Sequence, residues 1–340
     1  MTHRRQTARW RRIITAAWIS VAVAAGGGRA QSAGTSAMTP RSCHAMTYVP
    51  GAAGASRVVV IGGAKACGVE VVRDSAVWTW NGTRWASEAG VLPGRREDAL
   101  VAFDTRRGAL VLYGGRIDRT VYRDTWERSG AAWRQRGTSD APNPGPLEHA
   151  AAAYDERRGR VVVFGGGSRD GRMFDATWEW DGSTWRQAAG KGPGARVGHS
   201  MAWSAADSAV VMYGGFNAAG PLNDLWKWNG DAWTRLDPAG PASTEGPALV
   251  ASDSGVMLVG PRPNAGADAA LGVWMWRRGR WTPLSAGDGG PRLRVGQGVA
   301  YDAARRRLVF FGGFVPASNR TSAEVWEFDG ARWQLVAGGS

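Results

Sequence analysis

The sequence predicts an all-β protein, a six-bladed β-propeller with four antiparallel strands in each blade. The first observation is a tryptophan that recurs at intervals of 48 or 52 residues. A second tryptophan stands seven residues before each of these, and a turn dipeptide ending in glycine lies between the two. Repeats of about 50 residues made of short strands are typical of propeller blades. The pairs are Trp78 and Trp85, Trp126 and Trp133, Trp178 and Trp185, Trp226 and Trp233, Trp274 and Trp281, and Trp326 and Trp333.

A pair of glycines follows an apolar segment upstream of the tryptophans in most repeats. Glycine adopts backbone angles, and permits close backbone contacts, that a side chain prevents. We therefore expect each pair to end the second strand of its blade. The fifth repeat departs from the pattern, because Gly260 is followed by Pro261. The complete pairs are Gly62 and Gly63, Gly114 and Gly115, Gly165 and Gly166, Gly214 and Gly215, and Gly312 and Gly313.

Each repeat supplies four strands. The first is short and holds alanine, valine and an aromatic residue, as in the segment 150–154. The second is continuously apolar, which favours burial on both faces. The third and fourth form a hairpin around the turn that ends in glycine. We place the start of the first strand at matching positions of the six repeats, namely His44, Asp98, His149, His199, Gly246 and Gln297.

The composition follows from the taper of a propeller blade. Inner strands converge on the axis, where small residues fit, and large rings fill the wider outer part. The chain has 49 glycines and 19 tryptophans, and the repeats account for most of the tryptophans. Each repeat is expected to be a whole blade within one domain over residues 41–338. The predicted blades are about 41–88, 95–136, 146–188, 195–236, 243–284 and 293–337.

The first 30 residues predict a secretory signal peptide. They hold six arginines and no acidic residue, with an apolar run over 13–25. Gly28 and Ala30, on either side of Arg29, supply the small residues of a cleavage site. We expect export to the periplasm or the outside, a short linker over residues 31–40, and no integral membrane segment once the signal is removed.

The basic charge does not predict a nucleic-acid partner. Without the six arginines of the signal, the formal net charge falls from +13 to +7. The other arginines alternate with acidic residues at turns, as in Asp104, Arg106 and Arg107. A nucleic-acid interface would gather them on one face together with stacking aromatics.

The chain outside the signal has two cysteines, Cys43 and Cys67. Export makes a disulfide between them feasible, because Cys43 begins the first strand of blade 1, Cys67 lies just past the end of the second, and these two ends are neighbours in an antiparallel pair. Two free thiols are the alternative. Two cysteines are too few for a disulfide framework or a cysteine-based zinc site.

Taken together, the repeats resemble the Kelch family of propellers. The shared features are the glycine pair after an apolar strand, the aromatic of the third strand, the tryptophan of the fourth, and Arg196-Val197-Gly198-His199. The resemblance covers about residues 41–337 and implies an exported, bacterial-type member. Its relatives include galactose oxidase, with a copper site of tyrosine and histidine, and a periplasmic sialic-acid mutarotase. Neither cysteine here lies beside a tyrosine and histidine set of that kind, which argues against the oxidase activity.

Few residues of the sequence are candidates for a catalytic or metal-binding role. The histidines could ligate a metal near the axis, but their recurrence favours a structural role, and we predict no metal, no cofactor and no catalytic residue. The mutarotase resemblance implies arginines that meet a sugar carboxylate at the channel. Charges at strand starts more often pair with one another. The binding candidates at the channel mouth are Arg95, Asp98, His149, Arg196, His199 and Arg294.

The sequence thus favours a non-enzymatic, monomeric module that binds a protein or a carbohydrate, because loops on a rigid ring are suited to recognition. The alternative is a sugar-acting enzyme, similar to a sialic-acid mutarotase or galactose oxidase, with its site at the channel. An enzyme would show convergent arginine and carboxylate groups or a metal in a pocket. A binding module would show a shallow loop face or an aromatic patch.

Overall fold

The computed structural model is a six-bladed β-propeller, which confirms the predicted fold class. It describes residues 38–338 apart from short gaps. The predicted signal peptide and most of the linker lie outside the described residues. The gaps are 52–55, 68–71, 73–74, 138–140, 191, 238–239, 242–245, 263–265, 267–268 and 286–288.

Each blade is one sheet of four antiparallel strands, and all four come from one repeat. The strands of blades 1 to 3 are Ala45–Val49, Arg57–Ile61, Ala76–Trp80 and Trp85–Val91; Leu100–Asp104, Ala109–Tyr113, Thr125–Ser129 and Ala132–Arg136; and Ala151–Asp155, Arg160–Phe164, Thr177–Trp180 and Trp185–Gln187. Those of blades 4 to 6 are Ser200–Ser204, Ala209–Asn217, Gly220–Trp228 and Trp233–Asp237; Ala248–Ser252, Gly255–Pro261, Leu271–Arg277 and Arg280–Ser285; and Gly298–Asp302, Arg307–Phe311, Val325–Phe328 and Trp333–Ala337.

Two blades carry short elements in addition to their four strands. Blade 2 carries a small hairpin of Arg116–Ile117 and Thr120–Val121. Blade 6 carries a hairpin of Phe314–Val315 and Arg320–Thr321, with the 3-10 turn Pro316–Ser318 between its strands.

The first strands surround the axis, and each lies against the first strand of the next blade, including blade 6 against blade 1. The second strands are buried on both faces, as their apolar sequences predict. Six apolar clusters fill the interfaces between neighbouring blades, which we call joints. The hydrophobic core is therefore a ring of joints rather than a single centre.

The glycine pairs adopt left-handed backbone angles where they leave the second strand. Gly165 has a φ of +64°, and a Cβ there would lie 2.8 Å from the carbonyl oxygen of Arg196. Blade 4 differs from the expectation, because its second strand continues past the glycine pair, with a register shift between Tyr213 and Gly215. In blade 5 the strand runs on to Pro261, which pairs with Leu271.

A recurrent polar chain crosses three of the joints. In blade 3 the carboxylate of Asp155 binds Arg158 Nε at 2.7 Å, and Arg158 reaches Glu179 at 2.5 Å. Glu179 then accepts a hydrogen bond of 2.8 Å from Nε1 of Trp228 in blade 4. We call this the Asp–Arg–Glu–Trp chain. It recurs as Asp104, Arg107, Glu127 and Trp180, and as Asp302, Arg305, Glu327 and Trp80.

The last of these chains closes the ring, because Glu327 belongs to blade 6 and Trp80 to blade 1. Backbone hydrogen bonds also join the two blades, from Gly313 N to Arg41 O at 2.9 Å and from Cys43 N to Gly296 O at 2.7 Å. No strand is exchanged between the four-stranded sheets of the described chain. The ring therefore closes with the same contacts that hold its interior joints.

Candidate functional site

The candidate residues were chosen for a channel mouth, and the structure places most of the arginines elsewhere. Arg196 is 3% exposed. Its NH1 group donates to Gly214 O at 2.9 Å and to Asp224 Oδ1 at 2.8 Å. Asp224 also accepts a hydrogen bond of 2.6 Å from Nε1 of Trp226. Burial alone would raise the pKa of Asp224, but the bonds from Arg196 and Trp226 hold it below its usual value.

Arg294 makes the equivalent clamp in blade 6. Its guanidinium donates to Gly312 O at 3.1 Å and to Glu324 Oε2 at 2.8 Å. Glu324 accepts from Trp326 Nε1 at 2.9 Å. Burial lowers the pKa of the Arg294 guanidinium and Glu324 partly offsets that effect. Like Arg196, this side chain ties the strand start of its own blade to the glycine pair.

In blade 2 this position belongs to Arg96, whereas the predicted Arg95 is exposed. Arg96 NH1 donates to Gly114 O at 2.7 Å and to Asp124 Oδ1 at 2.9 Å. The signal that finds the correct residue is spacing, since each clamp arginine of blades 2, 4 and 6 lies 18 residues before the first glycine of its pair.

The histidines do not share one position, which corrects the alignment of the repeats. Pairing of the first and second strands places His44 and His199 directly before the first strand, together with Gln297. Asp98 and His149 lie one residue earlier, at a left-handed position. The residues of that position are Cys43, Asp98, His149, Gly198, Gly246 and Gly296, with φ between 52° and 67°.

The left-handed residues form the inner edge of one channel mouth. Asp98 N donates to Cys43 O at 2.8 Å, and Gly198 N donates to His149 O at 2.8 Å. Between blades 2 and 3 a side chain makes the link, because Asp98 Oδ2 accepts from His149 N at 2.8 Å. The same oxygen lies 3.4 Å from His149 Nδ1. Both side chains are about one-fifth exposed and border a recess of 370 Å³.

His44 and His199 also border this recess but are themselves buried. Burial, together with the nearby charge of Arg41 or Arg196, lowers the pKa of each to about 3. His199 Nε2 lies 3.1 Å from Phe164 O, which requires that this nitrogen carry the proton. Each imidazole packs against a phenylalanine of the preceding blade, Phe311 or Phe164. These rings are part of the joints, so of the six candidates only Asp98 and His149 offer accessible polar atoms at this mouth.

Cys43 and Cys67 are joined by a disulfide at the same mouth, with Cα atoms 5.4 Å apart. With Glu97 they form a compact group of residues whose types ligate metals. The disulfide leaves no thiolate for a metal, so the group does not fit a metal centre in this state.

A second opening lies at the other end of the channel, with a volume of 500 Å³. Its wall includes Tyr48, Phe103, Tyr154, Trp203 and Tyr301. The sequence predicts an aromatic residue in the first strand, but not that these residues meet at one end of the channel. Their signal is the shared fourth position of that strand.

Fold and recesses together define a propeller with one recess at each end of its axis. No protein-family model matches the chain. A segment of 122 residues is 30% identical to tRNA wybutosine-synthesizing protein 4 of Aspergillus fumigatus. That match covers 34% of this chain and 11% of the fungal protein. Among the described residues, no helix has the length and apolar character needed to cross a membrane.

Proposed function

We propose that the chain is an exported propeller of the Kelch type that binds a protein or a carbohydrate without transforming it. The repeat features quoted above support the family, and the arginine-rich, apolar first 30 residues support export. The fungal relative shares only 11% of its length with this chain, so its name is not carried over.

The proposal rests on where the charged side chains lie and which groups they bind. The arginines that a sugar-acting site would turn toward the channel are buried within their blades, where they donate to main-chain carbonyls and to carboxylates that also accept hydrogen bonds from tryptophans. The mouth keeps a recess with rigid walls and a polar corner at Asp98 and His149. A concave, mostly apolar surface with few fixed polar groups is typical of binding sites.

A glycan array combined with a sugar-turnover assay tests this function. We expect retention of a glycan or, failing that, of a protein partner, and no turnover. Because one ligand hydrogen bond contributes about 1.4 kcal/mol, Asp98→Asn should weaken binding at this mouth about tenfold. Arg95→Ala is the matched control, since its exposed side chain lies outside the recess. Turnover of a sugar by the purified protein would overturn the proposal.

Export has its own test. The chain expressed with residues 1–30 in a bacterial host should be recovered outside the cytoplasm, and N-terminal sequencing should begin near Gln31. An intact N-terminus on cytoplasmic protein would contradict export and leave the binding role in place.

A further inference from the structure

The second mouth of the channel is built from two rings of equivalent residues. The inner ring is the fourth residue of each first strand, and we call it the aromatic belt. It consists of Tyr48, Phe103, Tyr154, Trp203, Ala251 and Tyr301. Five blades therefore supply an aromatic ring, and blade 5 supplies a methyl group.

The outer ring is the residue that follows each first strand, and we call it the rim. All of its members line the opening. The rim consists of Pro50, Thr105, Glu156, Ala205, Asp253 and Ala303. Its two ionisable residues are both acidic, and they flank blade 4 on either side.

The charge at this mouth contrasts with that of the chain. The formal net charge is +13, yet the described residues that line the opening include no lysine or arginine. Arginines lie beside both acidic residues without lining the opening. Arg106 NH2 donates to Glu156 O at 3.1 Å, and Arg157 NH2 donates to Asn229 O at 2.7 Å. Arg306 Nε lies 3.6 Å from Asp253 Oδ2, but its side chain is 81% exposed, so solvent screens that pair. The charged side chains that line the opening are therefore acidic, in a chain whose formal net charge is +13.

The Glu156 carboxylate makes no ion pair with a described residue. Burial raises the pKa of Glu156, and the neighbouring Asp155 carboxylate raises it further. A bound cation would stabilise this carboxylate. Asp253 Oδ2 accepts a hydrogen bond of 3.1 Å from the Tyr301 hydroxyl, which links the rim to the belt.

Trp203 lies between the two acidic blades and is the one tryptophan after residue 30 that stands outside the repeat pattern. One part of its side chain packs against the core of the joint between blades 3 and 4, and the rest lines the opening. The small residues Ala205 on its own blade and Ala251 on the next leave room beside the indole. Tryptophan is the aromatic side chain that attracts cations most strongly.

We propose that this mouth binds an oligosaccharide of amino sugars, with one protonated amine at Glu156, another at Asp253, and the indole of Trp203 between them. The carboxylates and the indole account for the cationic group. The width of the belt accounts for the sugar, because aromatic rings on five blades around 500 Å³ exceed what a single ammonium ion would contact. The partly exposed rings of Tyr48 and Tyr301 offer apolar surface to the C–H faces of sugar rings. The hydroxyls of Tyr154 and Tyr301 already donate within the protein, to Asp104 Oδ1 and Asp253 Oδ2.

Calorimetric titration of the full chain with a glucosamine trimer tests the site. The matched ligands are the N-acetylglucosamine trimer, which lacks the amine charge, and tetramethylammonium, which lacks the sugar. We expect the glucosamine trimer to bind most tightly and to weaken with added salt. The double variant Glu156→Gln/Asp253→Asn should lose affinity by about tenfold or more, since each charge-assisted hydrogen bond contributes about 1.5 kcal/mol or more.

Two further variants test whether the loss of affinity is specific to this site. Trp203→Leu should also weaken the glucosamine trimer, while Asp231→Asn, an exposed acid on an outer turn of blade 4, should bind like the parent. Thermal unfolding checks that each variant is folded. No binding of the glucosamine trimer, equal binding of the acetylated trimer or of tetramethylammonium, or unchanged affinity of both the double and the Trp203 variants would overturn the proposal.

The two mouths can be distinguished, so failure here does not entail failure of the proposed function. If another glycan or a protein binds and Asp98→Asn weakens it, while no substitution at Trp203, Glu156 or Asp253 does, the binding role stands and the amino-sugar site is wrong.

Discussion

Two joints of the same ring, between blades 3 and 4 and between blades 4 and 5, are held differently. The first contains the Asp–Arg–Glu–Trp chain, which ends on Nε1 of Trp228. In the second, Lys227 occupies the position of Glu179, and Nε1 of the buried Trp276 has no hydrogen-bond partner among the described residues. The apolar packing is similar in both. Nε1 of Trp233 also donates to Thr177 Oγ1 in the first joint, while Nε1 of Trp281 has no partner among the described residues in the second. The comparison therefore shows what buried polar contacts add to a joint.

Acidification should destabilise the joints that contain a buried histidine, and this is the largest effect on stability that we expect. His44 and His199 lie in the joints between blades 6 and 1 and between blades 3 and 4. Their pKa is about 3 when folded and 6.5 when unfolded. Below pH 6.5 the unfolded chain takes up protons that the folded chain excludes, so stability falls between pH 6.5 and 3. At pH 5 each histidine should cost about 2 kcal/mol relative to neutral pH.

The measurement is denaturant unfolding at pH 7 and pH 5 for the parent and for His44→Gln/His199→Gln. Glutamine occupies this position in blade 6 as Gln297, so the substitution suits the fold. The double variant should lose less stability on acidification than the parent. Parallel pH profiles would show that the histidines do not make the joints acid-sensitive.

Disrupting the Asp–Arg–Glu–Trp chain between blades 3 and 4 should have the next largest effect on stability. Glu179→Ala leaves the Arg158 guanidinium and Nε1 of Trp228 without their shared acceptor. Loss of one partner of a buried ion pair costs about 3 kcal/mol, and we expect unfolding at correspondingly lower denaturant. Lys227→Ala, at the matching position of blade 4, is the control and should change stability by less than about 1 kcal/mol. Equal effects of the two substitutions would mean that the chain adds nothing to its joint.

Introducing the Asp–Arg–Glu–Trp chain into the joint between blades 4 and 5 should have the smallest effect on stability. Asp207→Arg with Lys227→Glu places these residue types at the positions that Arg158 and Glu179 occupy in blade 3 and supplies an acceptor for Trp276. We expect a gain of about 1 kcal/mol, the net contribution of one satisfied hydrogen bond. Lys227→Glu combined with Trp276→Phe is the control, because Phe328 shows that a phenylalanine fits this position in blade 6. Stabilisation that persists without the indole nitrogen would assign the gain to another cause.

The architecture was predictable because its signals are local and repeated. Trp78 and Trp85 mark a hairpin within a few residues, and six copies in phase leave few alternatives. The roles of Arg196 and His149 were harder to predict, because each role depends on the strand register and on which neighbouring residue covers the side chain. Arg95 and Arg96 are adjacent in sequence, yet one is exposed and the other buried. The sequence does not distinguish them without the spacing to Gly114.

The acidic residue in the middle of the third strand was missed for the same reason. Glu179 stands between Trp178 and Trp180, which suggests a polar residue facing solvent. Its carboxylate instead accepts hydrogen bonds from two blades. Likewise, the rings of the aromatic belt are about 50 residues apart in sequence, and only closure of the ring brings them to one opening.

The way the ring closes has a consequence for how it comes apart. Blades 1 and 6 meet at a joint that has an Asp–Arg–Glu–Trp chain and two backbone hydrogen bonds. Both joints of blade 5 lack that chain, with Lys227 and Met275 at the acidic position. The joint between blades 5 and 6 nevertheless has two backbone hydrogen bonds of 2.8 Å, and the joint between blades 1 and 2, which also lacks the chain, is crossed by an ion pair of 2.6 Å between Arg128 and Glu88. We therefore expect the ring to open first at the joint between blades 4 and 5, beside Ala251 of the aromatic belt, rather than where blades 1 and 6 meet.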